Sequence, residues 1–328
     1  MANEDKVLIS EVGPRDGLQS VAAIMPTETK LAWIDALYDS GIREIEVGSY
    51  VPPKLLPQMA DVSVVVRHAI KKPGLTVMAL VPNLKGAEKA LADGVHKITL
   101  PVSASEQHSL ANVRKTRVEM VEEVKRVVAL RDQAAPGTHI EVGISTAFGC
   151  TIQGQVSEDD VVWLACELEQ AGVDEIGLSD TTGMANPAQV QRLFDKVRTK
   201  IGSRTGAGHF HNTRGLGLAN CLAAYQVGVK TFDSSQAGLG GCPYAPGASG
   251  NVVTEDLIFM FESMGVDTGV DLEKMMRARA IMHSGLPDEP IYGMTPLAGL
   301  TKGFVYANGR QPAKENLDAI FQEETKRG

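Results

Sequence analysis

Cysteine is scarce in these 328 residues: four, at positions 150, 166, 221 and 242. None forms a C-x-x-C pair, so neither a disulfide framework nor a zinc knuckle is expected, and a reducing compartment fits. Positive charge is also short. Lys and Arg number 32 against 40 Asp and Glu, a net charge of −8. That balance argues against a nucleic-acid partner, which calls for a basic face. An anionic small substrate stays open, because a few local cations outweigh a global excess. No run of about 18 uncharged apolar residues occurs, so no membrane partner is expected. Residues 1–6 carry neither an apolar run nor an Arg-rich amphipathic stretch, so no signal or transit peptide is expected and the default compartment is the cytoplasm.

What is present is an alternation of two textures. Short β-branched runs occur at 7–12, 42–47, 75–81, 95–101, 139–145, 173–179, 205–211 and 229–234. Segments with helical spacing separate them, at 27–40, 60–71, 84–93, 112–134, 157–171, 187–201 and 215–227. Four helical tails end in glycine (Gly41, Gly94, Gly172, Gly228), each followed by Ile or Val. Glycine closes a helix cheaply at positive φ, and the following run opens a strand. Eight such units predict an α/β chain folded as a (β/α)8 TIM barrel with extra C-terminal helices; an open doubly wound sheet is the competing architecture. No Pro/Gly/Ser-rich linker divides the chain. One catalytic domain over 1–328 is expected, with the barrel over about 5–265 and a helical extension over about 266–328.

In a barrel, chemistry sits at the carboxyl ends of the strands. Polar residues gather there: Arg15, Asp16 and Gln19 after the first strand, Glu46 and Ser49 on the second, Asn83 after the third, Ser145 on the fifth and Asp180 on the sixth. The seventh ends in His209-Phe210-His211. Residues two apart on a strand point the same way, so two imidazoles can share one ion. With the Asp16 carboxylate they suit Mg²⁺, Mn²⁺ or a similar divalent metal. Taken alone, an H-x-H is more often two polar residues with separate partners. Asn251 could add a carbonyl oxygen, although a lone Asn in a glycine-rich loop is commonly a turn residue. Arg15 is a permanent cation that either stabilises a developing oxyanion or pairs with Glu46 or Asp180. The loop from Gly238 to Asn251 holds five glycines and Cys242, whose thiol is either a tuned proton donor or an inert small side chain.

Glu11–Gln19 (EVGPRDGLQ) and Ser235–Asn251 (SQAGLGGCPYAPGASGN) together resemble the hydroxymethylglutaryl-CoA lyase family, with shorter matches at 57–61, 82–86, 103–106 and 254–257. The resemblance spans roughly residues 5 to 270. It implies a metal-dependent retro-Claisen cleavage of an acyl-CoA substrate into acetyl-CoA and a keto acid, within leucine degradation. By position it makes Asp16, His209, His211 and Asn251 metal ligands, with His209 also catalytic. Arg15 becomes the residue that stabilises the enolate, Cys242 the proton-transfer thiol, and Glu46 and Asp180 acidic supports of the site. Substrate contacts are expected from Arg15, Gln19, Ser49, Asn83, Ser145 and Arg214, and a homodimer or larger homo-oligomer is implied.

The chain departs from the lyase pattern after His211. Asn212-Thr213-Arg214-Gly215-Leu216 stands where the lyases carry Asp-Thr-Tyr-Gly-Gln, and it leans toward isopropylmalate and homocitrate synthases. Four readings follow: cleavage of 3-hydroxy-3-methylglutaryl-CoA, the same cleavage of another branched 3-hydroxyacyl-CoA such as citramalyl-CoA, a Claisen-condensing synthase, and a non-enzymatic binding module.

Overall fold

A computed structural model of the chain describes residues 5–240 and 250–313. The strands are β1 (Leu8–Glu11), β2 (Glu44–Ser49), β3 (Thr76–Leu80), β4 (Lys97–Ser103), β5 (His139–Ser145), β6 (Glu175–Asp180), β7 (Thr205–Phe210) and β8 (Thr231–Ser234). Each pairs in parallel with the next, and β1 pairs with β8 from Leu8↔Thr231 to Glu11↔Ser234. That last ladder closes the barrel and removes the open-sheet alternative. Along β4, for example, the buried Ile98, Leu100 and Val102 alternate with Lys97, Thr99 and Ser103, which take the opposite face.

The helices are α1 (Thr27–Ser40), α2 (Val62–Ala69), α3 (Leu84–Asp93), α4 (Glu106–Val113), α5 (Arg117–Ala134), α6 (Glu158–Gln170), α7 (Pro187–Ile201), α8 (Gly217–Gln226), α9 (Thr254–Ser263), α10 (Leu272–Gly285) and α11 (Met294–Ala298). The tail glycines take the expected conformation: φ is 110° at Gly41 and 84° at Gly94. One expected helix, 112–134, is in fact two. Arg114 turns left-handed at φ 57°, and Thr116 begins a new helix by a capping box with Glu119. The T-x-x-E spacing carries that signal. Beyond the barrel, α10 packs on α1. Among the described residues no helix is long and apolar enough to cross a membrane.

The two ends of the barrel differ. At the amino-terminal end Lys97 Nζ lies 2.9 Å from Glu44, 3.1 Å from Glu141 and 3.0 Å from Glu175, so an ion cluster plugs the floor. Burial raises the carboxyl pKa values of Glu44 and Glu141 against the pull of Lys97. A barrel filled in this way is a packed core rather than a pore. The open chemistry is left to the other end.

Candidate active site

The first strand delivers Asp16 through a tight turn rather than a regular helix. The N–H groups of Arg15, Asp16 and Gly17 all point at the Val12 carbonyl, at 3.1, 2.7 and 3.4 Å, in a π-type turn over Gly13–Gly17. Such turns recur at functional sites because they widen the backbone spacing and aim a side chain.

The seventh strand delivers the histidines. Phe210, between them, faces outward and is fully buried against Phe194 and Phe148, with ring centroids 6.4 and 5.9 Å away. Truncating such a ring to alanine costs about 3–5 kcal/mol, so Phe210 fixes the strand that aims His209 and His211 inward. The segment after the glycine-rich loop runs back beside this strand. Asn212 N–H donates to Gly250 O at 3.2 Å and Val252 N–H to Phe210 O at 3.1 Å, which sets Asn251 against His211.

The ligand atoms of Asp16, His209 and His211 all lie within 4.8 Å of one another, and all three residues are buried. The two Nε2 atoms are 3.1 Å apart. Two nitrogens each ~2.1 Å from one ion, at a right angle, stand about 3.0 Å apart, so the spacing suits a shared cation. Asn251 Nδ2 donates to Asp16 Oδ2 at 2.7 Å. Asn251 Oδ1 and His211 Nδ1 are buried with no hydrogen-bond partner. An orphaned carbonyl oxygen beside a carboxylate and two imidazoles is a donor set that a hard-to-intermediate divalent cation satisfies. Burial, then His209 nearby, pushes the His211 imidazole down to about 4, which leaves it neutral, the ligating form. Burial also disfavours a charged His209, but Asp233 and Asp16 outweigh it and raise its pKa.

Arg15 sits at the edge of this group with its side chain only 13% exposed. It reaches Glu46 Oε2 from Nε at 2.6 Å and from Nη2 at 2.5 Å, and Asp16 Oδ1 from Nη1 at 2.5 Å. The ion-pair alternative for Arg15 is met through Glu46, and the pairing holds its guanidinium beside Asp16. Glu46 is steadied further by the Thr99 hydroxyl, which donates to Oε1. Burial raises the Glu46 pKa, against the lowering effect of Arg15. Asp16 is lowered overall: burial opposes its ionisation, but Arg15 and the two histidines prevail.

The other expected site residues lie around the same rim with differing attachments. Gln19 donates from Nε2 to Asp16 Oδ1 at 2.7 Å. Ser49 is fully buried at the end of β2, its Oγ accepting from Val51 N–H at 3.3 Å. Ser145 ends β5 in register with Ser103. Asp180 accepts from Met184 N–H at 2.8 Å and Ala185 N–H at 3.1 Å through Oδ1, while Oδ2 is buried without a partner. Burial pushes its carboxyl up to about 7 despite those donors. Asn83 has a structural job: Oδ1 caps α3 by accepting from Gly86 N–H at 3.0 Å. Arg214 is exposed and its Nη1 is clamped on the carbonyls of Thr182 and Gly183, at 3.1 and 2.8 Å. Cys242 lies outside the described residues.

Sequence reasoning gave no role to Asp233 or Thr99. Asp233 stands in β8, where Oδ2 lies 3.0 Å from His209 Nδ1. The available signal was a carboxylate inside a barrel strand, next to the buried Phe232.

The HMGL-like family profile matches residues 6–282. The chain is 41% identical to the hydroxymethylglutaryl-CoA lyase YngG of Bacillus subtilis, over 83% of this chain and 91% of that protein. It is 40% identical to a 3-hydroxy-3-isohexenylglutaryl-CoA/hydroxymethylglutaryl-CoA lyase of Pseudomonas aeruginosa, over 83% of this chain and 90% of that one. Among solved structures, an HMG-CoA lyase from Acinetobacter baumannii, in complex with coenzyme A and 3-methylmalate, superposes with a TM-score of 0.86 at 39% identity. That match covers 92% of this chain and 98% of the other.

Proposed function

Because this chain belongs to the HMGL-like family, we propose that it is a carbon–carbon lyase that cleaves 3-hydroxy-3-methylglutaryl-CoA into acetyl-CoA and acetoacetate. The observation that carries the reading is the meeting of Asp16, His209 and His211 within 4.8 Å, beside Arg15, in a chain about 40% identical to such lyases over most of its length. Asp16, His209, His211 and Asn251 would hold a divalent ion, Mg²⁺ or Mn²⁺. When bound, that ion supplies Lewis acidity that makes a substrate hydroxyl easier to deprotonate.

The chain's own residues do the rest. Loss of the tertiary hydroxyl proton drives its electron pair into a new carbonyl, and the adjacent carbon–carbon bond breaks toward the thioester. Asp180, whose ionisation burial places at about 7, is a proton acceptor matched to neutral pH. His209 faces the same space and keeps the hydroxyl end oriented. Arg15, always cationic, stabilises the negative charge that gathers on the acetyl-CoA enolate oxygen. Glu46 holds Arg15 in place through two hydrogen bonds. The enolate carbon then takes a proton, the role assigned to Cys242. Gln19, Ser49, Asn83, Ser145 and Arg214 line the path of the acyl-CoA. We place the enzyme in the cytoplasm, in leucine degradation, as a homodimer or larger assembly, which light scattering on the purified protein tests.

A second reading has one observation in its favour. Arg214 is a fixed cation on the rim, and it marks the stretch where the chain departs from the lyase pattern. A substrate with a differently placed carboxylate, such as citramalyl-CoA, would suit it. One assay decides. Purified protein with Mn²⁺ is given a panel of 3-hydroxyacyl-CoA thioesters, and acetyl-CoA release is followed. Cleavage of hydroxymethylglutaryl-CoA as the fastest substrate is expected. Fast cleavage of another thioester with none of this one establishes the second reading, and no release from any of them refutes both.

A further inference from the structure

The two imidazoles of the candidate metal centre are not held alike. His211 Nδ1 is buried and has no partner. His209 Nδ1 lies 3.0 Å from Asp233 Oδ2. The pairing is built into the barrel: β7 and β8 are adjacent and parallel, and His209 stands opposite Asp233 in their register. Both side chains are largely screened from solvent, 13% and 16% exposed. On either side of Asp233, Phe232 and Ser234 are fully buried, so the strand cannot slide to present another residue. A one-residue slip would turn every β8 side chain to the opposite face.

We propose that Asp233 is a positioning residue for the metal centre: by accepting the Nδ1 proton of His209 it fixes that ring's orientation and leaves Nε2 bare for the ion. An imidazole carries its single neutral-state proton on one nitrogen only. An acceptor at Nδ1 therefore selects the tautomer whose lone pair is at Nε2. That nitrogen is the one that faces His211 Nε2 at 3.1 Å. The carboxylate also brings negative charge beneath the cation, where Arg15 alone would repel it. Carboxylates in this position typically change metal affinity by 10–100-fold.

The inference rests on the metal reading above, and the test separates the two. Mn²⁺ binding is measured by electron paramagnetic resonance, without substrate, for the parent, Asp233→Ala and Asp233→Asn, with circular dichroism to establish folding. The parent is expected to bind. Asp233→Ala should lose about 10–100-fold in affinity. Asp233→Asn should lose less, because its amide oxygen still accepts from Nδ1; a purely structural role would not rank the variants by acceptor strength. Histidine nitrogen NMR of the Mg²⁺-loaded parent should show the His209 proton on Nδ1. A folded Asp233→Ala that binds Mn²⁺ as tightly as the parent overturns the role of Asp233 and leaves the metal reading standing. So does equal loss in the two variants. Should Asp233→Ala not fold, Asp233→Asn with a His209 proton moved off Nδ1 and unchanged affinity has the same force. A parent that binds no Mn²⁺ overturns both.

Discussion

Replacing Gly240 by alanine probes the candidate metal centre through its wall rather than its ligands. Gly240 sits at φ +117°, and a Cβ built there comes to 2.3 Å from Asn251 Nδ2 and 3.1 Å from Asp16 Oδ2. Real Cβ atoms essentially never approach closer than 3.0 Å, so Asn251 must retreat by at least 3.0 − 2.3 = 0.7 Å. It has little room to do so, because Nδ2 is tied to Asp16 Oδ2 at 2.7 Å and to Leu239 O at 3.0 Å. Metal–ligand distances tolerate about 0.2 Å. A ligand moved by several times that amount is lost to the ion. The expected drop in Mn²⁺ affinity is about 10–100-fold, or roughly 1.4–2.8 kcal/mol. The unusual φ adds about 1–3 kcal/mol of backbone strain. Gly74→Ala is the control: φ is +73°, yet no atom lies within 4 Å of the added Cβ. Calorimetric titration with Mn²⁺ and thioester cleavage are measured on both variants. Gly240→Ala should lose affinity and turnover together, whereas Gly74→Ala should lose only stability. A folded Gly240→Ala with parental affinity and rate would refute the placement of Asn251 and Asp16 around one ion.

Three further outcomes are expected. His211→Ala should lower Mn²⁺ affinity and acetyl-CoA release by more than about 100-fold, since it removes an imidazole outright rather than its support; full metal content in that variant counts against the site. Asp180 has a folded pKa of about 7, above its unfolded value of 3.8. The folded chain therefore binds more proton between those values, and the stability this group adds at low pH is lost as pH rises through about 7. Asp180→Asn should flatten that slope in urea midpoints taken between about pH 5 and pH 8, and an unchanged slope would contradict it. Arg279 Nη1 meets Glu255 Oε1 at 3.0 Å with both side chains almost wholly buried. Arg279→Met strands the Glu255 carboxylate, so urea denaturation should show a loss of about 3–5 kcal/mol, and a loss under about 1 kcal/mol would show the pair to be dispensable.

Much of the barrel is written in local pattern. Helices α1, α3 and α7 and strand β5 begin and end where their spacing, caps and tail glycines place them. Periodicity is a short-range property, so a single strand or helix carries it. The break at Arg114 was missed because apolar spacing runs through it, while the capping box at Thr116 decides the start of α5. Asn83 shows a second demand on one residue. A polar residue at a strand end looks like a ligand contact, but the helix that follows needs its first N–H groups satisfied, and Asn83 does that.

For the site itself, the sequence determined the donor types and their strand-end positions: a carboxylate at Asp16, two imidazoles at His209 and His211, and a cation at Arg15. Only the tertiary structure decided that β1 lies beside β8, that Asn251 returns to His211, that Arg15 shares Glu46 with Thr99, and that Asp233 stands behind His209. Each of these depends on register between strands that are distant in the chain. Closure of the barrel sets that register, and no local spacing encodes it.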